Sequence, residues 1–442
     1  MPFRFAWAAR IACGLISAVC LTAAGHAQPA ASTIDAGHTA WMLGSTALVL
    51  LMTIPGLALF YAGMVRKKNV LATMMQSFAA TGVVSVLWFA AAYSLAFTGD
   101  GAWIGGLSRA FLAGITRDGT NALAPTIPES VFLAYQMTFA IITCALIAGS
   151  VADRMKFSAF LAFIVAWLFV VYVPIAHWVW GGGFLGAAGL LDYAGGTVVH
   201  VNAGVAGLVA ALMLGRRRGL GHDNLAPYDL SMAVVGTGLL WVGWFGFNAG
   251  SALAADGRAG LAMISTHFAA SAGAVSWMAI EWWTRGKPSV LGIISGAVAG
   301  LGTVTPASGY ILPGHGIIIG LVAGAVCYWA CTSLKRRLRY DDSLDVFGVH
   351  GVGGIIGTLA AGIFAVGAVT ATPDNPAGTP GLLEGHPRQL LVQLGGIVAT
   401  ALWSGAWSWL LLKAIEATIG LRVSDEAERD GLDLALHGEA MQ

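Results

Sequence analysis

The chain has 442 residues, of which 57% are hydrophobic and 10% charged, with a formal net charge of +1. So few polar groups cannot clothe a soluble globule of this length, which makes the bilayer its solvent. The near-neutral balance argues against nucleic acid as a partner. Sixty glycines fit the same reading, because membrane helices approach one another through small residues where soluble helices use leucine.

In chain order, Arg4 and Arg10 precede an apolar run over 11–24, and Gly25-His26-Ala27 carries small residues at the expected cleavage spacing. This predicts a signal peptide over 1–27 and a mature protein beginning near Gln28. The alternative is a retained twelfth helix, for which the run is short. Cys13 and Cys20 would leave with the signal, while Cys144, Cys327 and Cys331 fall inside apolar stretches, so neither a disulfide framework nor a metal site is expected. Cys327 and Cys331 read as packing residues.

Stretches of roughly 20 apolar residues, enough to span a bilayer, recur eleven times after the signal. They cover approximately 40–64, 71–97, 129–151, 157–178, 196–214, 228–250, 259–283, 288–306, 314–334, 346–368 and 390–417. An odd number sends the two termini to opposite sides. Arg66-Lys67-Lys68, Arg154 and Lys156, Arg216 to Arg218, Arg285 and Lys287, Lys335 to Arg339, and Lys413 onward fall in alternate connections, whereas the others hold Arg109, Arg117, Arg258 and Arg388. The positive-inside rule then puts the mature N-terminus outside and the C-terminus in the cytoplasm.

An internal echo divides the spans into five plus five and a final helix. Phe60-Tyr61-Ala62-Gly63 closes the first span and Phe247-Asn248-Ala249-Gly250 the sixth; the fifth carries His200 and the tenth His350, with Asp192 and Asp342 eight residues before them. Because five is odd, the halves have opposite orientation, the inverted-repeat plan that puts a transport site near the midplane. An ionisable side chain inside a span is costly and usually faces a cavity or pathway. Taken singly, each histidine also reads as a hydrogen-bonding tie between helices. At equivalent positions of a repeat they are better read as a pair on one path, and the repeat predicts that they meet.

Three segments then carry a family resemblance. Asp192-Tyr193-Ala194-Gly195-Gly196-Thr197-Val198-Val199-His200-Val201-Asn202, Gly243-Trp244-Phe245-Gly246-Phe247-Asn248-Ala249-Gly250-Ser251 and Asp345-Val346-Phe347-Gly348-Val349-His350-Gly351 resemble, in order and spacing, the bacterial ammonium transporter (Amt/Mep/Rh) family. The likeness runs along nearly all of the mature length, 28–420 forming the transporter domain. It implies an all-α integral membrane protein of eleven transmembrane helices, a homotrimer with one pore per subunit, in the bacterial inner membrane, carrying ammonium and methylammonium without a cofactor.

By motif position the resemblance also assigns residues. Trp180, Tyr135 and Ser251 would form an external recruitment site, where ring faces and a hydroxyl replace water around the cation; Tyr135 stands where many relatives have Phe. Phe139 and Phe247 would close the pore as stacked rings that strip water. His200 and His350 would line the pore below, where burial disfavours the charged form of both rings and each offers one donating and one accepting nitrogen. Asp192 and Trp244 would support the site, although a helix-capping aspartate needs no cation. Asp342 and Asp345, before the tenth helix, read either as caps or as part of the exit.

The segment 421–442 is polar and acidic, with Asp425, Glu426, Glu428 and Asp430, which by itself reads as a solvated end. Gly420 to Ser424 and Gly431 to Glu439 resemble the family's regulatory tail, implying a PII-type (GlnK-like) partner at the cytoplasmic face. Three other readings stand beside transport. An ammonium sensor generally appends a signalling domain; a Rhesus-type gas channel is disfavoured by Trp180 and the tail; an enzyme lacks any HExxH or GxSxG pattern.

Overall fold

The computed structural model describes residues 34–372 and 375–441, so the expected signal peptide over 1–27 lies outside the described residues. Among the described residues, nine helices are long and apolar enough to cross a membrane: α1 (Ala36–Met64), α2 (Lys67–Phe97), α3 (Glu129–Val151), α4 (Phe157–Ala187), α5 (Gly196–Leu214), α6 (Leu230–Gly250), α9 (Pro313–Leu338), α10 (Phe347–Phe364) and α11 (Arg388–Thr418). Two more, α7 (Gly257–Arg285) and α8 (Val290–Val304), make eleven, each coinciding with an expected span. Their apolar windows are weaker or shorter: α8 has 15 residues, and α7 carries buried Ser265, Thr266 and Glu281. Beyond three isolated bridges, the described residues contain no β-structure.

Capping explains several boundaries. Asp35 accepts from His38 N–H ahead of α1, Asp229 from Ser231 and Met232 ahead of α6, Asp256 from Ala259 ahead of α7, and Ser289 from Gly292 ahead of α8. Each side-chain oxygen satisfies a helix-start N–H that has no partner within its own helix. α1 therefore begins earlier than its apolar stretch, and α8 starts where Ser289 dictates. α4 breaks over 180–183 before a last turn, Phe184–Ala187, and that break carries Trp180.

The connections sort onto two ends of the bundle, as alternating spans require. At one end, which carries the basic residues, Arg154 donates to the carbonyls of Gly215 (3.0 Å) and Ala152 (3.1 Å) and to Ser343 Oγ (2.7 Å). Arg217 there forms a forked pair with buried Asp341, Nη2 to Oδ1 at 2.9 Å and Nε to Oδ2 at 3.1 Å. At the other end Asp35 N–H donates to Thr126 O (2.9 Å), Tyr193 N–H to Pro306 O (3.1 Å) and Val366 N–H to Tyr310 O (2.9 Å).

The two halves echo each other in detail. α4 and α9 carry π-turns at Leu168–Tyr172 and Ala330–Leu334, and α5 and α10 at Gly196–Val201 and Phe347–Gly351. The last two contain His200 and His350; such turns misalign a helix locally and recur at functional sites. Asp192 Oδ2 accepts from Thr197 N–H (2.8 Å) and Asp342 Oδ2 from Phe347 N–H (2.7 Å), five residues on in both halves.

The segment after α11 folds back on the basic end. Lys156 N–H donates to Leu421 O (2.9 Å) and Val423 N–H to Arg154 O (3.0 Å). Two short helices follow, α12 (Asp425–Asp430) and α13 (Leu432–His437). Glu428 binds Arg422 and the N–H of Arg218, while Asp433 accepts from the first N–H groups of α2, at Leu71 (3.1 Å) and Ala72 (2.7 Å). It is a docked element, not the freely solvated end that its charge alone suggests.

Candidate functional site

At the end opposite the basic cluster, a vestibule of about 260 Å³ is lined by Tyr135, Gln136, Phe139, Trp180, Tyr193 and Ser251 among others. The break in α4 turns Trp180 into it, and Trp180 Nε1 donates to the Asp192 carbonyl at 2.8 Å, which fixes the indole. Tyr135 and Ser251 meet directly, hydroxyl to hydroxyl, at 3.2 Å. Ser251 Oγ spends its proton on Phe247 O (2.9 Å), which leaves oxygen lone pairs as the free valence. The tyrosine hydroxyl turns towards the carbonyls of Gly246 (2.9 Å) and Phe247 (2.8 Å), so it ties α3 to α6.

The floor of the vestibule is aromatic. Phe139 and Phe247 lie with ring centroids 4.3 Å apart and planes tilted by 35°, and Phe139 meets Trp180 edge-on at 5.5 Å. Both phenylalanines are 1% exposed. Offset ring pairs at this spacing attract beyond their area burial, by about 0.5–1.5 kcal/mol, so the floor rests closed. No hydrated solute passes rings in contact unless they move.

Beneath it lies a lumen of about 10 Å³ lined by Phe247, Trp244, His200, His350 and aliphatic side chains, room for about one water. His200 and His350 face each other with Nδ1 atoms 3.2 Å apart and nearly parallel rings, centroids 5.2 Å apart. Trp244 stacks on His200 at 5.7 Å and is anchored by Nε1 to Thr305 Oγ1 (2.9 Å). His200 Nε2 is buried with no partner among the described residues. Below the pair, Phe60, Val298 and His350 also border a cavity of about 330 Å³ at the basic end, whose walls include Arg217, Cys331 and Asp345.

The close approach of the histidines has a steric cause. A Cβ on Gly204 would sit 2.3 Å from Gly351 Cα, and one on Gly354 would sit 2.9 Å from His200 Cβ. Glycine four residues after each histidine thus lets α5 and α10 cross where the rings meet. That reciprocal spacing is present in the sequence, whereas no sequence signal points to Thr305.

Asp192 turns out to be a cap. Its Oδ1 accepts from the N–H groups of Gly195 (2.8 Å) and Gly196 (2.6 Å), and its Oδ2 from Thr197 N–H, Val198 N–H and the Thr197 hydroxyl. Five donors occupy a carboxylate that is 3% exposed, so its bearing on the vestibule runs through the turn it builds and the indole held by its carbonyl. Asp342 caps α10 likewise, whereas Asp345 pairs with Lys335 at 2.8 Å in the wall of the basic-end cavity. Cys327 is packed inside α9, and no cluster of three metal-ligating side chains exists among the described residues.

A family model described as "Ammonium Transporter Family" matches residues 40–442. The chain belongs to the ammonium transporter family. It is 46% identical to an ammonium transporter of Aquifex aeolicus over 97% of this chain and 98% of that protein. It is 47% identical to an ammonium transporter of Bacillus subtilis over 91% and 98%. Its fold is similar to the crystal structure of Saccharomyces cerevisiae Mep2, with a TM-score of 0.82 at 36% identity, covering 89% of each chain. A structure titled "Sensor Amt Protein" is also similar, with a TM-score of 0.81 at 28% identity, covering 91% and 98%. This ammonium transporter is therefore a multi-pass membrane protein that moves ammonium across the bilayer, and not an enzyme.

Proposed function

We propose that this chain takes up ammonium by recruiting the cation in the aromatic vestibule, dehydrating it at the Phe139–Phe247 floor and passing it along the His200–His350 pair. The observation that carries this reading is the succession of shared walls: Phe139 of the vestibule touches Phe247 of the one-water lumen, the histidine pair lines that lumen, and Phe60, Val298 and His350 border both it and the basic-end cavity. Trp180 and Tyr135 offer ring faces to the cation and Ser251 an oxygen lone pair, which together replace part of its hydration shell. Potassium would lose its water at the same rings yet find no set of oxygens below them.

The histidines supply the chemistry of passage. With Nδ1 facing Nδ1, a neutral pair holds one proton between the rings, one Nδ1–H donating to the other Nδ1. The donor ring then has an accepting Nε2 and its partner a donating one, so the pair offers one acceptor and one donor to a small solute. A proton left behind by ammonium either remains outside, so that ammonia crosses, or travels along this pair and recombines. Current recorded on proteoliposomes separates the two: an ammonium-dependent current lost in His200→Ala supports the second route, and uptake without current supports the first.

Methylammonium is the second cargo of this reading, and the assembly is a homotrimer in the bacterial inner membrane. The basic end faces the cytoplasm, the mature N-terminus lies outside and the C-terminal tail inside. The tail docked beside the basic-end cavity supports regulation there by a PII-type protein. The likeness to a sensor favours one rival, ammonium binding coupled to signalling without flux. Binding of methylammonium by purified protein that takes none up into vesicles is the result that would favour it.

A further inference from the structure

Three of the four glycines of α8 are explained by what a side chain would strike. A Cβ on Gly292 would fall 2.0 Å from Glu281 Oε2, one on Gly296 2.6 Å from Gly273 O, and one on Gly300 2.2 Å from Ala269 O, the last two where α7 crosses. Gly302 has no such reason. It is buried within the helix Val290–Val304, its φ is not left-handed, and a Cβ built there would meet nothing closer than 3.7 Å. Alanine would fit without moving a neighbour, and glycine in a helix interior is the less stable of the two. The missing methyl group therefore costs stability and relieves no clash.

What the position faces is the histidine pair. The atoms nearest to a Cβ on Gly302 are His200 Cε1 (3.7 Å), His350 Nδ1 (3.7 Å) and His200 Nε2 (3.8 Å), so a recess the size of one methyl group lies against both imidazoles. Val298, one helical turn earlier on α8, lines the lumen together with the same two rings. That lumen, of about 10 Å³, holds one water-sized solute, whereas methylammonium has a carbon beside its nitrogen. A solute nitrogen hydrogen-bonded at about 3 Å from His200 Nε2 carries its methyl carbon about 1.5 Å further on. The recess, 3.8 Å from Nε2, is within reach of that carbon.

Resting on the transport reading above, we propose that Gly302 is a specificity-determining residue: by lacking a side chain it opens beside the histidine pair a recess that takes the methyl group of methylammonium while the solute nitrogen is held at His200 Nε2. Ammonium has no carbon to place and does not use the recess. The glycine is what admits the second cargo to a lumen sized for the first, and this accounts for the helix stability given up at a position where packing would accept alanine.

The test is uptake of ammonium and of methylammonium, each measured separately, into proteoliposomes by the parent, Gly302→Ala and Gly82→Ala, with melting temperature recorded for each. Gly82 lies in α2, and a Cβ there meets nothing within 4 Å, so that variant stiffens a helix without filling a recess. Both variants are expected to melt at or above the parent. In Gly302→Ala the uptake efficiency for methylammonium, maximal rate over KM, is expected to fall about tenfold, the lower end of what one misfitted carbon costs in a fitted site. Ammonium is expected to stay within about twofold of the parent, and Gly82→Ala to match the parent for both solutes. An unchanged methylammonium-to-ammonium ratio in Gly302→Ala overturns the proposal, as does an equal loss for both solutes, the same change of ratio in Gly82→Ala, or a parent that takes up ammonium alone. A parent that takes up neither solute overturns the transport reading itself, a result distinct from a parent that transports both and a Gly302→Ala that matches it.

Discussion

Two buried ionisable clusters, the ring of contacts around Arg154 at the basic end and the histidine pair in the lumen, obey opposite rules. Arg154 is 0% exposed, yet its guanidinium donates to Gly215, Ala152, Ser343 and the Asp341 carbonyl, joining three connections into one plate. His200 is 1% exposed and its ring pairs with one neighbour, leaving Nε2 buried without a partner among the described residues, in a ring that lines a cavity the size of a water. The first cluster is saturated and so can do little except hold the fold. In the second, a buried valence is left unsatisfied at a cost to stability, which the proposed passage of a solute along the pair would explain.

If that contrast is right, substitutions in the two clusters fail in different ways. His200→Ala is expected to cut ammonium uptake by about a hundredfold, the scale on which positioned proton-transfer groups act, with the melting temperature held at or above that of the parent. A large loss of stability in that variant would make the histidine a structural tie instead. Arg154→Leu is expected to do the reverse: it strands the carbonyls of Gly215, Ala152 and Asp341 that the guanidinium caps and withdraws a charge that helps hold the Asp341 carboxylate, destabilising the protein by on the order of 3 kcal/mol. Reconstituted protein that survives should transport at a near-parental KM. Trp180→Leu removes a ring face from the vestibule without touching the lumen, so KM is expected to rise about tenfold with maximal rate little changed.

The smallest effect concerns protons at the basic end. Burial alone would raise the Asp341 carboxyl, but the hydrogen bonds and charge of Arg217, with Arg154 adding to them, more than offset it and hold the group below the ordinary aspartate value. A folded-state value lower than the unfolded one means that the stabilisation is fully present above the ordinary aspartate range and is lost as pH falls through the lowered value. Thermal denaturation of the parent against pH should show that acid limb, and Asp341→Asn should flatten it. An unchanged limb in the variant assigns it to other carboxylates.

Much of this was legible in the sequence because the bilayer leaves a coarse signal. Span number and the pairing of His200 with His350 follow from apolar lengths and from the opposite hand of two five-helix halves. The caps that fix helix starts, such as Asp229 and Ser289, act over two or three residues and are hidden by the apolar average. α7 carries a weaker apolar signal than its neighbours because its buried face holds Ser265, Thr266 and Glu281. The two readings of Asp192 could not be separated from composition, since a cap and a cation site use the same carboxylate; five donors on one side chain decide for the cap.

The central claim is that a solute must be dehydrated at the Phe139–Phe247 rings and can then use only the two imidazoles. It is tested most directly by uptake into proteoliposomes with potassium in large excess over ammonium. The account predicts that ammonium uptake by the parent is unaffected and that no potassium enters. Inhibition by potassium, or potassium flux through the parent, would contradict it.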